Sequence, residues 1–250
     1  MPMRNTPEPA TAHALEHHRD GFQVDLLTVR GLPLEAARNH LWQRCAALQP
    51  RPEMIVWADA DAFWLHGTFA AAAQRLTALG PRVLLGSFHG KRKPFSRLQA
   101  YHVVNGQPRI ISIAEAKAAP DGLTPAFFIG SHFLVHGPEL LDALGDAPFT
   151  LDELTAGEDH IFCTRALRAG WSILLDARLP VFHVEAGSGY LPGRPRFIYR
   201  DGGMEMTNEP PPDHQEPRPS PPRSYGAQID ALRARLTRPD GSLRASPSKG

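Results

Sequence analysis

Helix-like and strand-like segments alternate along this chain, and the alternation limits the folds open to it. "EPATAHALEHHR" (8–19) reads as a helix, and "FQVDLLTVR" (22–30) as a strand of near-alternating apolar residues. "LPLEAARNHLWQRCAAL" (32–48) is a helix with Pro33 near its start, and "EMIVWA" (53–58) a buried strand. "TFAAAAQRLTAL" (68–79) is a helix stopped by Gly80-Pro81, and "RVLLGSF" (82–88) another strand. "AFFIGSHFLVH" (126–136) adds a strand and "GPELLDALG" (137–145) a short helix. "GEDHIFCTRALRAG" (157–170) is an amphipathic helix, and "WSILLDA" and "LPVFHV" are closing strands. This order predicts an α/β fold of three αβα layers around a mostly parallel sheet. "YHVVNGQPRIISI" (101–113) breaks the rhythm, because Asn105-Gly106 is a strong hairpin turn signal.

The 250 residues are 42% hydrophobic, enough for one sizeable core, and the apolar residues thin out late in the chain. From Asp201 the text becomes "DGGMEMTNEPPPDHQEPRPSPPRS", which cannot bury enough surface to offset its ordering entropy. The expected organisation is a domain over 1–200 and a Pro-rich disordered tail over 201–250, with a short helix near 226–237. A net charge of +1 gives no argument for nucleic acid or membrane as an obligatory partner. No apolar run reaches the roughly 18 residues of a membrane span, and Met1 to Asp20 lacks a signal-peptide core. Cys45 and Cys163 read as core thiols of a reducing compartment, so a cytoplasmic protein is expected.

The chemistry concentrates where strands end. "MIVWADADAFW" (54–64) places Asp59 and Asp61 directly after an apolar run, at the edge of the sheet where ligands bind in such folds. In extended backbone the two carboxylates point the same way and repel unless a cation or a proton lies between them. A hard divalent ion accepts such oxygens and keeps positions open for phosphate. Glu158 and Asp159 open a helix, where acids also simply complement the helix dipole. His183 ends a short strand, and a lone histidine there is commonly a hydrogen-bonded core residue. Ser131 and His132 follow an apolar run and are candidate substrate contacts, with His136 four residues on. "HGKRKPFSR" carries Lys91 and Arg92 in a loop, either a solvated charge run or a phosphate clamp.

Together these segments resemble the nucleotide-sugar glycosyltransferases of the GT-A fold, family 2-like. "PMRNTPE" (2–8) matches in spacing the stretch that follows the first strand in many of them, and "AARNHLWQRC" looks like their "ARN" helix. "MIVWADADAF" is similar to the metal-binding DXD strand, in a tryptophan-bearing version like that of the Anp1/Mnn9-type mannosyltransferases. "FFIGSHFLV" sits where the family has an acceptor-side strand, and "GEDHIFCTRALRAGWSILLDARLPVFHV" looks like its closing segment. The resemblance implies that Asp59, Asp61 and His183 hold Mn2+ or Mg2+ and through it the diphosphate of a UDP- or GDP-sugar. It implies that Arg38 and Asn39 support the donor pocket. It also implies that Asp159 or Glu158 takes the proton of a glycan, lipid or protein acceptor. The family's first strand belongs upstream of Pro2, so here it is expected to be missing or reduced to a stub. Two other functions compete: an inactive transferase-like binding or structural module, and a phosphotransfer enzyme with Asp59 as nucleophile.

Overall fold

The computed structural model describes residues 2–3, 7–90, 97–151, 157–185, 188–190, 196–200 and 203–207. Strands β1 (Pro2–Met3) and β2 (Val29–Arg30) make a two-residue parallel pair. Helix α1 (Pro9–His17) lies between them and helix α2 (Leu34–Ala46) follows. Next come β3 (Ile55–Ala58), β4 (Ala62–Trp64), α3 (Thr68–Leu79) and β5 (Val83–Phe88). A hairpin of β6 (Ala100–Val104) and β7 (Gln107–Ile110) leads into α4 (Ile113–Ala118). The chain continues through β8 (Leu123–Ala126), β9 (Phe128–Ile129), β10 (Phe133–His136), α5 (Glu139–Leu144) and α6 (Glu158–Arg168). It then runs through the long β11 (Ser172–Glu185), β12 (Ser188–Tyr190), β13 (Arg196–Arg200) and β14 (Gly203–Thr207).

The central sheet is mixed, which corrects the mostly parallel sheet expected from the alternation. Its order is β14-β13-β12-β11-β5-β10-β3, with β4 and β8 also paired to β11. Within this sheet only β5 and β11 pair in parallel. Strand β10 is antiparallel to both neighbours, and β3, β5 and β11 therefore all run the same way. The stretch "AFFIGSHFLVH" is not one strand: β9 joins the β6–β7 hairpin, and residues 130–132 turn the chain into β10. Pattern alone missed this turn, because a Gly-Ser-His turn between apolar residues reads as continuous. "FQVDLLTVR" contributes only Val29–Arg30 as strand. The hairpin matches expectation, with Asn105 and Gly106 both at positive φ (48° and 76°), as a type I′ turn requires. Strand β14 lies inside the stretch that composition assigns to the tail; residues 208–250 lie outside the described residues, the helix expected near 226–237 among them.

Aromatic residues fill the core on both sides of the sheet. Trp42 stacks on Trp57, and Phe149 lies flat on Phe162 with ring centres 4.5 Å apart. Trp64, Phe69 and Phe133 form a second group under α3. His136 belongs to this core: it accepts from Trp57 Nε1 at 2.9 Å and donates Nδ1–H to the Gly137 carbonyl. Burial pushes its pKa down to about 4, so it is a neutral packing residue.

The start of α3 shows how loops are pinned near the sheet edge. Its N-cap, Gly67, has no side chain to offer, and Asp20 supplies the cap from 47 residues away. The Asp20 carboxylate accepts the amides of Gly67, Phe69 and Ala70. Asp20→Ala leaves those donors without a partner. A loss of about 1–2 kcal/mol in urea unfolding is expected.

Candidate active site

Because β3, β5 and β11 run together and β10 runs against them, one edge of the sheet collects four chain ends. These are Asp59 after β3, His89 after β5, His183 near the end of β11, and His132 just before β10. The Asp59–Asp61 loop is held by its backbone from three directions. Asp59 N–H donates to the His132 carbonyl (3.0 Å), Glu8 N–H to Ala60 (3.0 Å), and Val184 N–H to Asp61 (2.8 Å). Glycines allow the close approach that places His132. A Cβ on Gly130 would lie 2.3 Å from Gln99 Cδ, and one on Gly86 would lie 2.5 Å from Ile129 Cγ2.

The side chains then converge. His183 Nε2 is 3.1 Å from Asp61 Oδ2, and His132 Nδ1 is 3.6 Å from both Asp59 Oδ2 and Asp61 Oδ1. The rings of His132 and His183 stack at 4.4 Å, and His89 follows at 5.2 Å. His132 Nε2 donates to the Phe182 carbonyl, which leaves its Nδ1 facing the two carboxylates. That buried nitrogen has no hydrogen-bond partner, so a lone pair meets two anionic oxygens across a gap. Only a proton or a metal cation satisfies that arrangement. Without an ion the proton is favoured: burial lowers the His132 pKa, but Asp59 and Asp61 outweigh it and the net shift is upward. Burial likewise raises both aspartates. It is overcome at Asp59 by Arg38 and His132, and at Asp61 by His183 and His132, and both stay below the usual carboxylate range.

These residues fit a divalent metal. Asp61, His132 and His183 offer ligand atoms all within 4.8 Å of one another. Metal–ligand bonds of about 2.1 Å place neighbouring donors roughly 3–3.5 Å apart, close to the 3.1 and 3.6 Å that separate the Asp61 oxygens from His183 and His132. The expected set was Asp59, Asp61 and His183. The structure adds His132, expected as a substrate contact, and gives Asp59 a second engagement. Arg38, on α2 and only 3% exposed, donates Nη2–H to Asp59 Oδ1 at 3.0 Å and Nη1–H to Glu158 Oε1 at 2.6 Å. The guanidinium packs 5.8 Å from the centre of the Phe149 ring. One buried cation thus joins the β3 edge to the start of α6.

Asp159, next to Glu158, has its carboxyl pushed up to about 6, first by burial and then by the Glu158 charge, against the pull of Arg38. Asn39 is engaged elsewhere: its amide donates to Thr150 Oγ1 and accepts from Phe149 N–H, both at 2.9 Å, holding the 149–150 segment beside α2. Ser131 is buried in the turn ahead of His132. Lys91 and Arg92 lie outside the described residues. His89 was not singled out from the sequence, although it follows an apolar strand as Asp59 does. Its Nδ1 sits 3.0 Å from Ser87 Oγ, and burial, then His132, lowers its pKa to about 3.

Neither the protein-family models nor the curated proteins contain a match to this sequence. Among solved structures, the chain shares its α/β fold with A197 from STIV. That alignment has a TM-score of 0.59 at 12% identity, covering 82% of this chain and 95% of that one. A looser superposition is found with GalNAc-T7, determined with UDP, GalNAc and Mn2+. Its TM-score is 0.45 at 11% identity, over 63% of this chain and 32% of that one. Among the described residues no helix is long and apolar enough to cross a membrane.

Proposed function

We propose that this protein is a metal-dependent glycosyltransferase that moves a sugar from a nucleotide-sugar to an acceptor hydroxyl. The observation that carries this reading is the meeting of Asp59-x-Asp61 with His132 and His183 at one edge of the sheet, around a buried nitrogen that faces two carboxylates. Asp61, His132 and His183 would hold Mn2+ or Mg2+, with Asp59 beside them. When bound, such an ion neutralises the charge of a leaving nucleoside diphosphate. Two imidazoles favour Mn2+ over Mg2+, which prefers an all-oxygen shell.

The chain's own residues supply the rest of the chemistry. Arg38 keeps Asp59 ionised and aimed, and through Glu158 fixes the first turn of α6. That turn carries Asp159, the proposed base. In an inverting transfer the acceptor oxygen bonds the anomeric carbon, the bond from that carbon to the diphosphate oxygen breaks, and Asp159 takes the hydroxyl proton. A carboxyl near 6 suits the task, being ionised at neutral pH yet more basic than an ordinary aspartate. Asp59 is a poor nucleophile while Arg38 holds it, which disfavours phosphotransfer through a phosphoaspartate. The two unpaired, buried cysteines support the cytoplasmic placement.

A thermal-shift titration tests this. Mn2+ together with UDP- or GDP-sugars is expected to raise the melting temperature of the wild type and leave Asp61→Ala unchanged; no nucleotide-dependent shift in the wild type contradicts it. Asp159→Asn gives a separate signature. The folded-state pKa is raised, so ionising Asp159 costs stability as pH climbs through about 6, and nothing is lost below the ordinary carboxylate pKa. The variant is therefore expected to be more stable than wild type by about 1 kcal/mol at pH 8, an amount discounted for partial exposure. The gain vanishes below about pH 4, and turnover falls sharply at every pH.

A further inference from the structure

Next to Asp159 lies a group of aromatic rings that the chemistry above does not use. Helix α6 advances about 100° per residue, so in its first turn Asp159 projects between Glu158, which faces Arg38, and His160. The His160 ring meets Phe128 at 5.3 Å between centres, and Phe127 at 5.9 Å and nearly at right angles. Phe128 in turn lies 5.5 Å from Tyr101, its partner across the β6–β9 pairing. All four rings are half-buried. Phe128 packs on the core beneath it. Among the described residues Phe127 takes no part in that packing and is held by its backbone, its N–H donating to the Tyr101 carbonyl at 2.9 Å. Burial lowers the pKa of His160, so at neutral pH it adds an uncharged ring. Contiguous apolar surface of this kind marks a place where something binds.

Short stretches of chain tie these rings to both parts of the site. His160 follows Asp159 directly, and Phe128 precedes His132 by four residues, at most about 14 Å of chain. On that path the side chain of Gln99 lies over Gly130 and brings a planar amide beside β9. Aromatic faces bordered by an amide and carboxylates suit one class of molecule. A pyranose has a face of C–H groups and a rim of hydroxyls. The C–H face lies against the electron-rich face of an aromatic ring, and the hydroxyls hydrogen-bond to the polar border. An acyl chain gains nothing from that border, which it would strip of water. On the glycosyltransferase reading, on which this rests, we propose that Phe127, Phe128 and His160 form the acceptor subsite and that the acceptor is a saccharide. Its C–H face rests on these rings while one hydroxyl reaches Asp159.

Saturation-transfer NMR on the full chain, alone and with Mn2+ and UDP, tests the subsite. The probes are methyl glycosides of glucose, galactose, mannose and N-acetylglucosamine. At least one is expected to bind and to take up saturation at its ring C–H protons. Phe127→Leu keeps an apolar side chain but removes the ring face, and is expected to weaken that binding about tenfold. Phe127→Tyr keeps the ring and is expected to bind as the wild type does. Both variants are expected to unfold in urea near the wild-type midpoint, since Phe127 is not packed on the core. No glycoside bound, or equal affinity in Phe127→Leu and wild type, overturns the subsite. The two readings fail separately. Nucleoside diphosphate release with no saccharide bound overturns the acceptor subsite alone. Saccharide binding that depends on Phe127, without release from any donor, upholds the saccharide site and counts against the transferase.

Discussion

Arg38→Met is expected to cost about 3 kcal/mol of folding free energy, among the largest effects of any single substitution at this site. The methionine fills much of the arginine's volume next to Phe149, so packing changes little. The loss is electrostatic. Arg38 neutralises Asp59 and Glu158 at once, and its removal leaves two carboxylates facing each other, with Asp159 adjacent, in a partly water-excluded space. Asp59 and Glu158 keep some solvent access, so the low end of the range for a broken buried pair applies. Arg38→Lys should recover only part of the loss, because an ammonium lacks the planar fork that reaches both partners. Urea unfolding at pH 7.5 checks this. A loss below about 1 kcal/mol for Arg38→Met contradicts the assigned role.

The second large effect concerns the metal. Asp61→Ala and His132→Ala are each expected to weaken Mn2+ binding by at least about a hundredfold. Asp61 supplies a carboxylate directly. His132 supplies the nitrogen that otherwise faces two carboxylates with no hydrogen-bond partner. Asn39→Ala serves as a control, since its amide is used to hold Phe149 and Thr150. It should affect stability and leave Mn2+ affinity within a few-fold of wild type. Titration calorimetry distinguishes these outcomes. Tight Mn2+ binding by His132→Ala would return that residue to a substrate-contact role.

Parts of this site are legible in the sequence for a simple reason: they lie where local pattern changes. An apolar run ending in two aspartates marks a strand that stops at solvent, and Glu158-Asp159 opening an amphipathic stretch marks a helix start. The rest depends on contacts that are distant in sequence. Nothing local shows that Arg38 reaches Asp59 and Glu158, which lie 21 and 120 residues away. The position of His132 depends on strand direction. Read as part of one continuous strand it sits mid-sheet, whereas the turn at residues 130–132 and the antiparallel β10 bring it to the edge holding Asp59 and Asp61. The mixed sheet was hidden for the same reason, because apolar pattern carries no sign of direction. Asn39, beside Arg38 in sequence, is directed to a different task, as neighbours on a helix face different ways.

The most direct test of the glycosyltransferase reading is release of nucleoside diphosphate from UDP- and GDP-sugars by the wild-type protein in the presence of Mn2+. Release from at least one donor is expected, stopped by chelation and absent in Asp61→Ala. Release that persists without metal or in Asp61→Ala, or no release from any donor, would contradict it.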